Sequence, residues 1–150
     1  MRLFRICRRA FRALDGEGAR LFGGRWTSVG KAAVYTSSTL SLAAIEYLVH
    51  VDPADAPSDL LALTIYAPDD MRSHTVDVSV LPGTWAQWTD NPECRALGDD
   101  WLDCGVTALL RVPSAPIPSE TNVIVNPRHA DAARVRIIEE RPFVFDPRLR

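Results

Sequence analysis

The chain has 150 residues, of which 47% are hydrophobic and 24% charged, and its formal net charge is −2. This length and composition predict one globular domain, residues 1–150, and exclude intrinsic disorder, which requires few apolar residues and a large net charge. The slightly acidic balance argues against a nucleic-acid-binding surface. No apolar run reaches the roughly 18 residues that a membrane span needs, so no contact with a membrane is expected.

The N-terminal segment does not resemble a secretory signal, because Arg2, Arg5, Arg8 and Arg9 interrupt every short apolar stretch. The three cysteines form an odd set without the spacing of metal ligands. We therefore expect a cytoplasmic protein with reduced thiols and no bound metal.

Short apolar and β-branched runs predict strands, in chain order, at residues 2–6, 33–37, 60–66, 75–80, 106–112, 123–125 and 135–138. Helical signals predict a turn at 8–14, a helix from Ser38 or Thr39 to about His50, a helix at 92–103 and a short helix at 129–133. This mixture predicts an α+β fold with a mixed central sheet and flanking helices.

Two segments stand apart from these elements. Residues 15–30 are so rich in glycine that neither a helix nor a strand is expected there. Residues 69–103 carry many acidic and few basic side chains, together with Trp85, Trp88 and Trp101. We interpret this acidic segment as a solvated helical surface.

Glu46 is the first candidate for chemistry. It follows Leu42 by four residues and precedes Val49 by three, so it lies on the apolar stripe of its predicted helix, with Ile45 and Leu48. Burying a carboxylate without a partner costs roughly several kcal/mol of folding free energy, because the ion loses its hydration. Glu46 is therefore either paired or used, or it lies at the edge of the stripe and reaches water.

The tetrapeptide Gly23-Gly24-Arg25-Trp26 is the second candidate. Two glycines let the backbone approach a ligand closely, Arg25 offers a planar fork suited to phosphate, and Trp26 can stack on a ring. The spacing matches neither a P-loop nor a dinucleotide fingerprint, and a tight turn with a surface arginine explains the same residues.

The third candidate group follows the strand at 106–112. Ser114 lies between two prolines just past that strand, without the flanking glycines of a hydrolase nucleophile elbow. Asn122 and Asn126 bracket an apolar triplet and are expected to fix loops by side-chain hydrogen bonds. His129 is expected to cap a helix or lie at the surface.

Three blocks of the sequence, taken together and in this order, resemble the RES-domain family, the toxins of bacterial toxin–antitoxin pairs whose antitoxin is an Xre-type repressor. GARLFGGRWTSVG contains Arg25, AVYTSSTLSLAAIEYLVH contains Tyr35 and Glu46, and RVPSAPIPSETNVIVNPRH contains Ser114, Asn122, Asn126 and His129. The terminal RPFVFDPRL is also similar, and Thr27 stands where the family usually has Asn. The similarity covers essentially the whole chain.

The resemblance implies a fold like that of ADP-ribosyltransferase toxins, with NAD as substrate and no prosthetic group. It implies that Glu46 faces the positive charge that develops on the ribose and that Arg25 binds the phosphates. Tyr35 would stack on nicotinamide or orient the ribose, and Ser114 would hydrogen-bond the ribose or the amide. Trp26, Asn122 and Asn126 are further candidates for NAD binding. The four residues Arg25, Tyr35, Glu46 and Ser114 are expected to converge on one cleft.

The resemblance leaves the outcome of the reaction open. NAD can be destroyed by hydrolysis or phosphorolysis, or its ADP-ribose can be transferred to one host protein. A catalytically inactive partner-binding domain is a further alternative, disfavoured because the Arg–Tyr–Glu–Ser set is intact. A nuclease is disfavoured because the chain lacks paired acids for a metal. An Xre-type antitoxin that covers the cleft is the expected partner.

Overall fold

The computed structural model describes residues 1–87 and 90–149, so Trp88 lies outside the described residues. These residues form seven strands: β1 (Arg2–Arg8), β2 (Val34–Ser37), β3 (Leu60–Tyr66), β4 (Ser73–Thr75), β5 (Leu109–Pro113), β6 (Thr121–Val125) and β7 (Arg136–Pro142). The α-helices of these residues are α1 (Glu17–Phe22), α2 (Leu40–Leu48) and α3 (Pro92–Cys104), and short 3₁₀ turns lie at Arg9–Phe11, Pro53–Asp55, Val78–Val80 and Ala130–Arg134.

The strands form one sheet in the order β4-β5-β6-β2-β1-β3-β7. Only β4 and β5 run parallel; the other neighbours are antiparallel. The predicted α+β class with a mixed central sheet is confirmed.

The two faces of the sheet carry different layers. Because side chains alternate along a strand, Tyr35 and Ser37 of β2 point to one face and Val34 and Thr36 to the other. We call the first the helix face, since α2 and α3 pack on it. The opposite face holds the other core cluster, which includes Leu3, Val34, Leu61, Leu63, Ile65, Leu109, Val123 and Val125.

The glycine-rich segment contains a helix that the sequence analysis did not predict. Gly16 precedes α1 with φ 74° and Gly23 follows it with φ 69°, so two glycines occupy helix ends, where left-handed backbone is useful. Asp15 Oδ1 accepts a hydrogen bond from the Glu17 amide at the start of the helix. The number of glycines therefore did not exclude a helix here, because Gly16 and Gly23 lie at the ends of α1 rather than in its interior.

The prediction of a strand at residues 75–80 was wrong. Pairing with β5 ends at Thr75, and Asp77 then caps a 3₁₀ turn by accepting a hydrogen bond from the Ser79 amide at 2.8 Å. A local side-chain bond of this type competes with extended pairing. The strand predicted to begin at 106 begins at Leu109, after an exposed Val106.

Three helix predictions hold with small changes, and the helix predicted at 92–103 is α3. Thr39 caps α2 by accepting a hydrogen bond from the Leu42 amide at 3.1 Å, as predicted. Leu42 is buried, but Val49 is 55% exposed because it is already the C-terminal cap residue of α2. His129 is a cap, as expected, although of a 3₁₀ turn: its Nδ1 accepts from the Asp131 amide.

The acidic side chains of residues 69–103 are mostly exposed, as expected, but several of them also bind specific partners. Four carboxylates bind partners outside the segment: Asp69 pairs with the N-terminal amine, Asp70 with Arg134, Asp99 with Ser28 and Asp103 with Lys31. These contacts tie the segment to the rest of the fold.

No helix among the described residues is long and apolar enough to cross a membrane. Within the same residues, no group of His, Cys, Asp and Glu side chains could hold a metal ion.

The packing of α3 on the glycine-rich segment generates a stability prediction. A Cβ at Gly98 would lie 1.8 Å from the Trp26 carbonyl oxygen. Gly98→Ala gains about 1 kcal/mol of helix propensity, but the forced separation costs more than the roughly 1–3 kcal/mol of ordinary overpacking. We expect a clear fall in the melting temperature, measured by circular dichroism. The control is Gly83→Ala, where a Cβ meets nothing within 4 Å; equal melting temperatures for the two variants would contradict this packing.

Candidate functional site

Glu46 lies in the last turns of α2, on the side that faces the sheet. Its Oε1 atom accepts hydrogen bonds from Ser114 Oγ, at 2.7 Å, and from Asn122 Nδ2. The side chain is half-buried. The carboxylate is therefore paired and does not simply reach water at the edge of the apolar stripe. Its partners are neutral hydrogen-bond donors rather than a cation.

Ser114 follows β5 directly and is completely buried, with an exposed fraction of 0%. Its hydroxyl donates to Glu46 and accepts from the Ile117 amide at 3.1 Å, while its own amide donates to the Glu120 carbonyl. In this structure the Ser114 hydroxyl therefore acts on Glu46 and is not open to a ligand.

Asn122 lies within β6 and does not fix a loop, contrary to the sequence-based interpretation. Its register places it opposite Ser37 of β2 and Val112 of β5. Its amide nitrogen donates to Glu46, and its Oδ1 accepts from Ser37 Oγ at 2.7 Å. A chain of hydrogen bonds thus runs from Ser37 through Asn122 to the carboxylate.

The Glu46 carboxylate is held by one oxygen. Among the described residues, no hydrogen bond reaches Oε2, whereas Oε1 accepts two. A side chain fixed at one oxygen keeps a set orientation and offers the other oxygen to a bound molecule. The arrangement suits stabilisation of a positive charge or of a hydroxyl group placed beside α2.

Arg25 lies in a tight turn that follows α1. Gly24 and Thr27 pair through both backbone hydrogen bonds, of 2.9 and 3.4 Å, so that Arg25 and Trp26 form the loop between them. Arg25 is half-buried and its Nη1 donates to the Trp85 carbonyl at 2.6 Å. We call residues Gly24–Thr27 the arginine turn.

Tyr35 holds the arginine turn from β2. Its hydroxyl accepts from the Trp26 amide at 3.1 Å and shares a hydrogen bond of 3.0 Å with Thr27 Oγ1. A Cβ at Gly24 would lie 2.5 Å from this hydroxyl, so the contact requires glycine. Burial raises the pKa of Tyr35 to about 12, and the hydroxyl therefore keeps its proton at neutral pH.

Arg25 and Glu46 lie on the same face of the sheet. Tyr35, which binds the arginine turn, and Ser37, which binds Asn122, are two residues apart on β2 and point to the helix face. Two residues of a strand span roughly 6.6 Å. The structure thus places Arg25, Tyr35, Glu46 and Ser114 on the same face of the sheet.

Trp26 and Asn126 are not placed beside Glu46. Trp26 is 3% exposed and packs in the core, with its ring centroid 6.3 Å from that of Trp85, so it has no free face for a ligand ring. Asn126 lies beyond the far end of β6, four residues from Asn122, and its Oδ1 accepts from the Arg128 amide. The loop-fixing interpretation is correct for Asn126.

Two residues of the site, Ser37 and Thr27, were not predicted from the sequence to take part in it. Ser37 could have been found from the predicted strand at 33–37, because it shares a face with Tyr35. Thr27 is 1% exposed and binds Tyr35, so the residue that departs from the family pattern helps to hold the arginine turn.

Comparisons with known proteins cover nearly the whole chain. The family model described as RES domain matches residues 2–146. A protein named Toxin Res from Pseudomonas putida (strain KT2440) is 40% identical over 152 residues, covering 99% of this chain and 99% of that protein. A protein named Prs ADP-ribosylating toxin from Sphingobium sp. (strain YBL2) is 35% identical over 139 residues, covering 91% of this chain and 86% of that protein.

A solved structure supports the fold. A chain from the crystal structure of the M. tuberculosis MbcT-MbcA toxin-antitoxin complex matches with a TM-score of 0.76 at 19% identity, covering 95% of this chain and 84% of that chain. At this identity the match concerns the fold. The extent of the family match and the identity of the full-length relatives lead to one conclusion: the chain belongs to the RES-domain family.

Proposed function

We propose that this chain is the toxin of a toxin–antitoxin pair and that it cleaves the nicotinamide–ribose bond of NAD. The observation that carries this proposal is the Glu46 carboxylate, fixed at Oε1 by Ser114 and Asn122, with no hydrogen bond from a described residue to Oε2. The names of the similar proteins, Toxin Res and Prs ADP-ribosylating toxin, support the same class of protein and chemistry.

The chemistry requires a negative charge beside the ribose. When the bond between the ribose carbon and the ring nitrogen breaks, its electron pair neutralises the nicotinamide cation. Positive charge then develops on the ribose, as in other glycosidic cleavages. Glu46 Oε2 stabilises this charge or binds a ribose hydroxyl, and water attacks the ribose and releases one proton. No metal is required, because nicotinamide leaves as a neutral molecule.

Arg25 and Tyr35 serve substrate binding in this proposal. The guanidinium of Arg25 contacts the phosphates of NAD, for which its planar fork is suited. Tyr35 holds the arginine turn through its hydroxyl, and its ring lies on the same face as Glu46. Ser114 acts through Glu46, because its hydroxyl is buried against the carboxylate.

A second candidate reaction is transfer of ADP-ribose to a protein. The relative named Prs ADP-ribosylating toxin favours it. Both reactions use the same bond cleavage and differ in the nucleophile, which is water, inorganic phosphate or a protein side chain. Detection of labelled ADP-ribose on protein, beside the free products, separates them.

Glu46→Gln tests the catalytic role. Glutamine keeps the size of the side chain and an oxygen for Ser114 and Asn122, but it removes the charge. We expect the kcat for nicotinamide release to fall by about 10²-fold or more, as for other preorganised electrostatic groups. The KM for NAD and the melting temperature should change little, because Arg25 still binds the phosphates.

The matched control is Glu140→Gln, on β7. Glu140 pairs with Leu63, which belongs to the core cluster of the opposite face, so its side chain points away from Glu46. It should release nicotinamide at the wild-type rate. A folded Glu46→Gln variant that releases nicotinamide as fast as the control would remove Glu46 from the mechanism.

Ser114→Ala tests the positioning of the carboxylate. The change removes one of the two donors to Glu46 Oε1 and leaves the Ile117 amide without its acceptor, at a cost of about 1–3 kcal/mol of unfolding free energy. We expect a lower melting temperature and a kcat reduced by roughly tenfold or more, because misplaced catalytic groups lose rate steeply. Ser119→Ala, at an exposed serine of the same loop, is the control. A kcat unchanged by Ser114→Ala would show that Asn122 alone orients Glu46.

An enzyme that destroys NAD in the cell that makes it requires a neutralising partner. We expect an Xre-type antitoxin encoded beside this chain, forming a stable hetero-oligomer in which the Glu46 site is covered. The test is induced synthesis of the chain with and without that neighbour. Growth arrest and loss of NAD are expected only without it, and normal growth of cells making the soluble chain alone would contradict the proposal.

A further inference from the structure

Asp99 of α3 binds the segment that follows the arginine turn. Its two carboxylate oxygens accept from the amide of Ser28, at 2.9 Å, and from the hydroxyl of Ser28, at 2.5 Å. Ser28 comes directly after Thr27, the last residue of the turn. This carboxylate belongs to the acidic segment 69–103 and lies outside the blocks that resemble the RES-domain family.

The arginine turn needs support from outside. It begins after Gly23, whose φ of 69° is left-handed, and Gly24 lacks a side chain, so its first half has little stiffness of its own. Within the turn, the second backbone bond is 3.4 Å long and close to the limit for a hydrogen bond. Tyr35 supports the middle of the turn, the Trp85 carbonyl accepts a hydrogen bond from the Arg25 side chain, and Asp99 supports the end of the turn.

Helix α3 gives Asp99 a fixed position. The neighbouring Gly98 lies so close to the Trp26 carbonyl that a Cβ would meet it at 1.8 Å. One helical turn further along, Asp103 pairs with Lys31. The carboxylate of Asp99 is therefore presented by a helix that already touches the turn.

We propose that Asp99 is a positioning residue: its carboxylate fixes the end of the arginine turn and so sets where Arg25 lies relative to Glu46. The expected effect on NAD binding rests on the proposed function, whereas the effect of Asp99 on the conformation of the arginine turn does not. A side chain that only supports the fold would lower stability without affecting the binding of a substrate held by Arg25.

The first test is hydrogen exchange of the backbone amides in the full-length chain, made by cell-free synthesis. Asp99→Ala should speed exchange at residues 24–28 by about tenfold or more, while the strands exchange as in the wild type. Asp99→Asn, which keeps one acceptor oxygen, should give an intermediate rate. Asp100→Ala, the adjacent exposed carboxylate on the same helix, is the control and should leave these amides unchanged.

The second test separates binding from chemistry. Asp99→Ala should raise the KM for NAD by about tenfold with little change in kcat, because a misplaced Arg25 weakens the substrate and the transition state alike. The KM should return most of the way to the wild-type value in Asp99→Asn. If Asp99→Ala does not fold, Ser28→Ala removes the 2.5 Å bond alone and should give the smaller KM effect.

The outcomes are distinct. Wild-type exchange at residues 24–28 in Asp99→Ala would overturn the proposal, and so would faster exchange with an unchanged KM. If the wild-type chain itself releases no nicotinamide, the proposed function fails, and the exchange rates still decide whether Asp99 holds the arginine turn.

Discussion

Glu46 accepts hydrogen bonds from Ser114 and Asn122, and these two contacts join α2 to the end of β5 and the start of β6. Strand β2 connects this carboxylate to the arginine turn on the same face. Ser37 orients Asn122 from β2, and Tyr35, two residues earlier on the same strand, holds the arginine turn. Half-burial of a carboxylate is tolerable only with such donors, so folding and the candidate site depend on the same bonds.

The sequence was informative wherever a local rule decides the structure. Short apolar and β-branched runs located β3 and most other strands, and the Thr39 cap located the start of α2. The helical repeat put Glu46 on the sheet side of α2, from which pairing or use of its carboxylate followed. Ser114 was found because residues at strand ends frequently build sites.

Contacts set by strand register could not be predicted in this way. Asn122 reaches Glu46 because it pairs with Ser37 and Val112 across two strand interfaces, which no single segment specifies. Asp99 binds Ser28 across 71 positions of the chain, and its sequence context shows only one more acidic residue among many. Trp26 was misjudged because an aromatic residue beside an arginine has the same pattern whether it faces a ligand or, as here, the core.

The most direct measurement of the central claim uses NAD labelled in the nicotinamide ring. The purified chain is incubated with this NAD and free nicotinamide is measured over time by chromatography, with ADP-ribose and its phosphorylated and protein-bound forms followed in parallel. The account predicts many nicotinamide molecules released per chain, with an ADP-ribosyl product in matching amount. Intact NAD after prolonged incubation with a folded chain, in the presence of phosphate and of cell extract as acceptor, would contradict it.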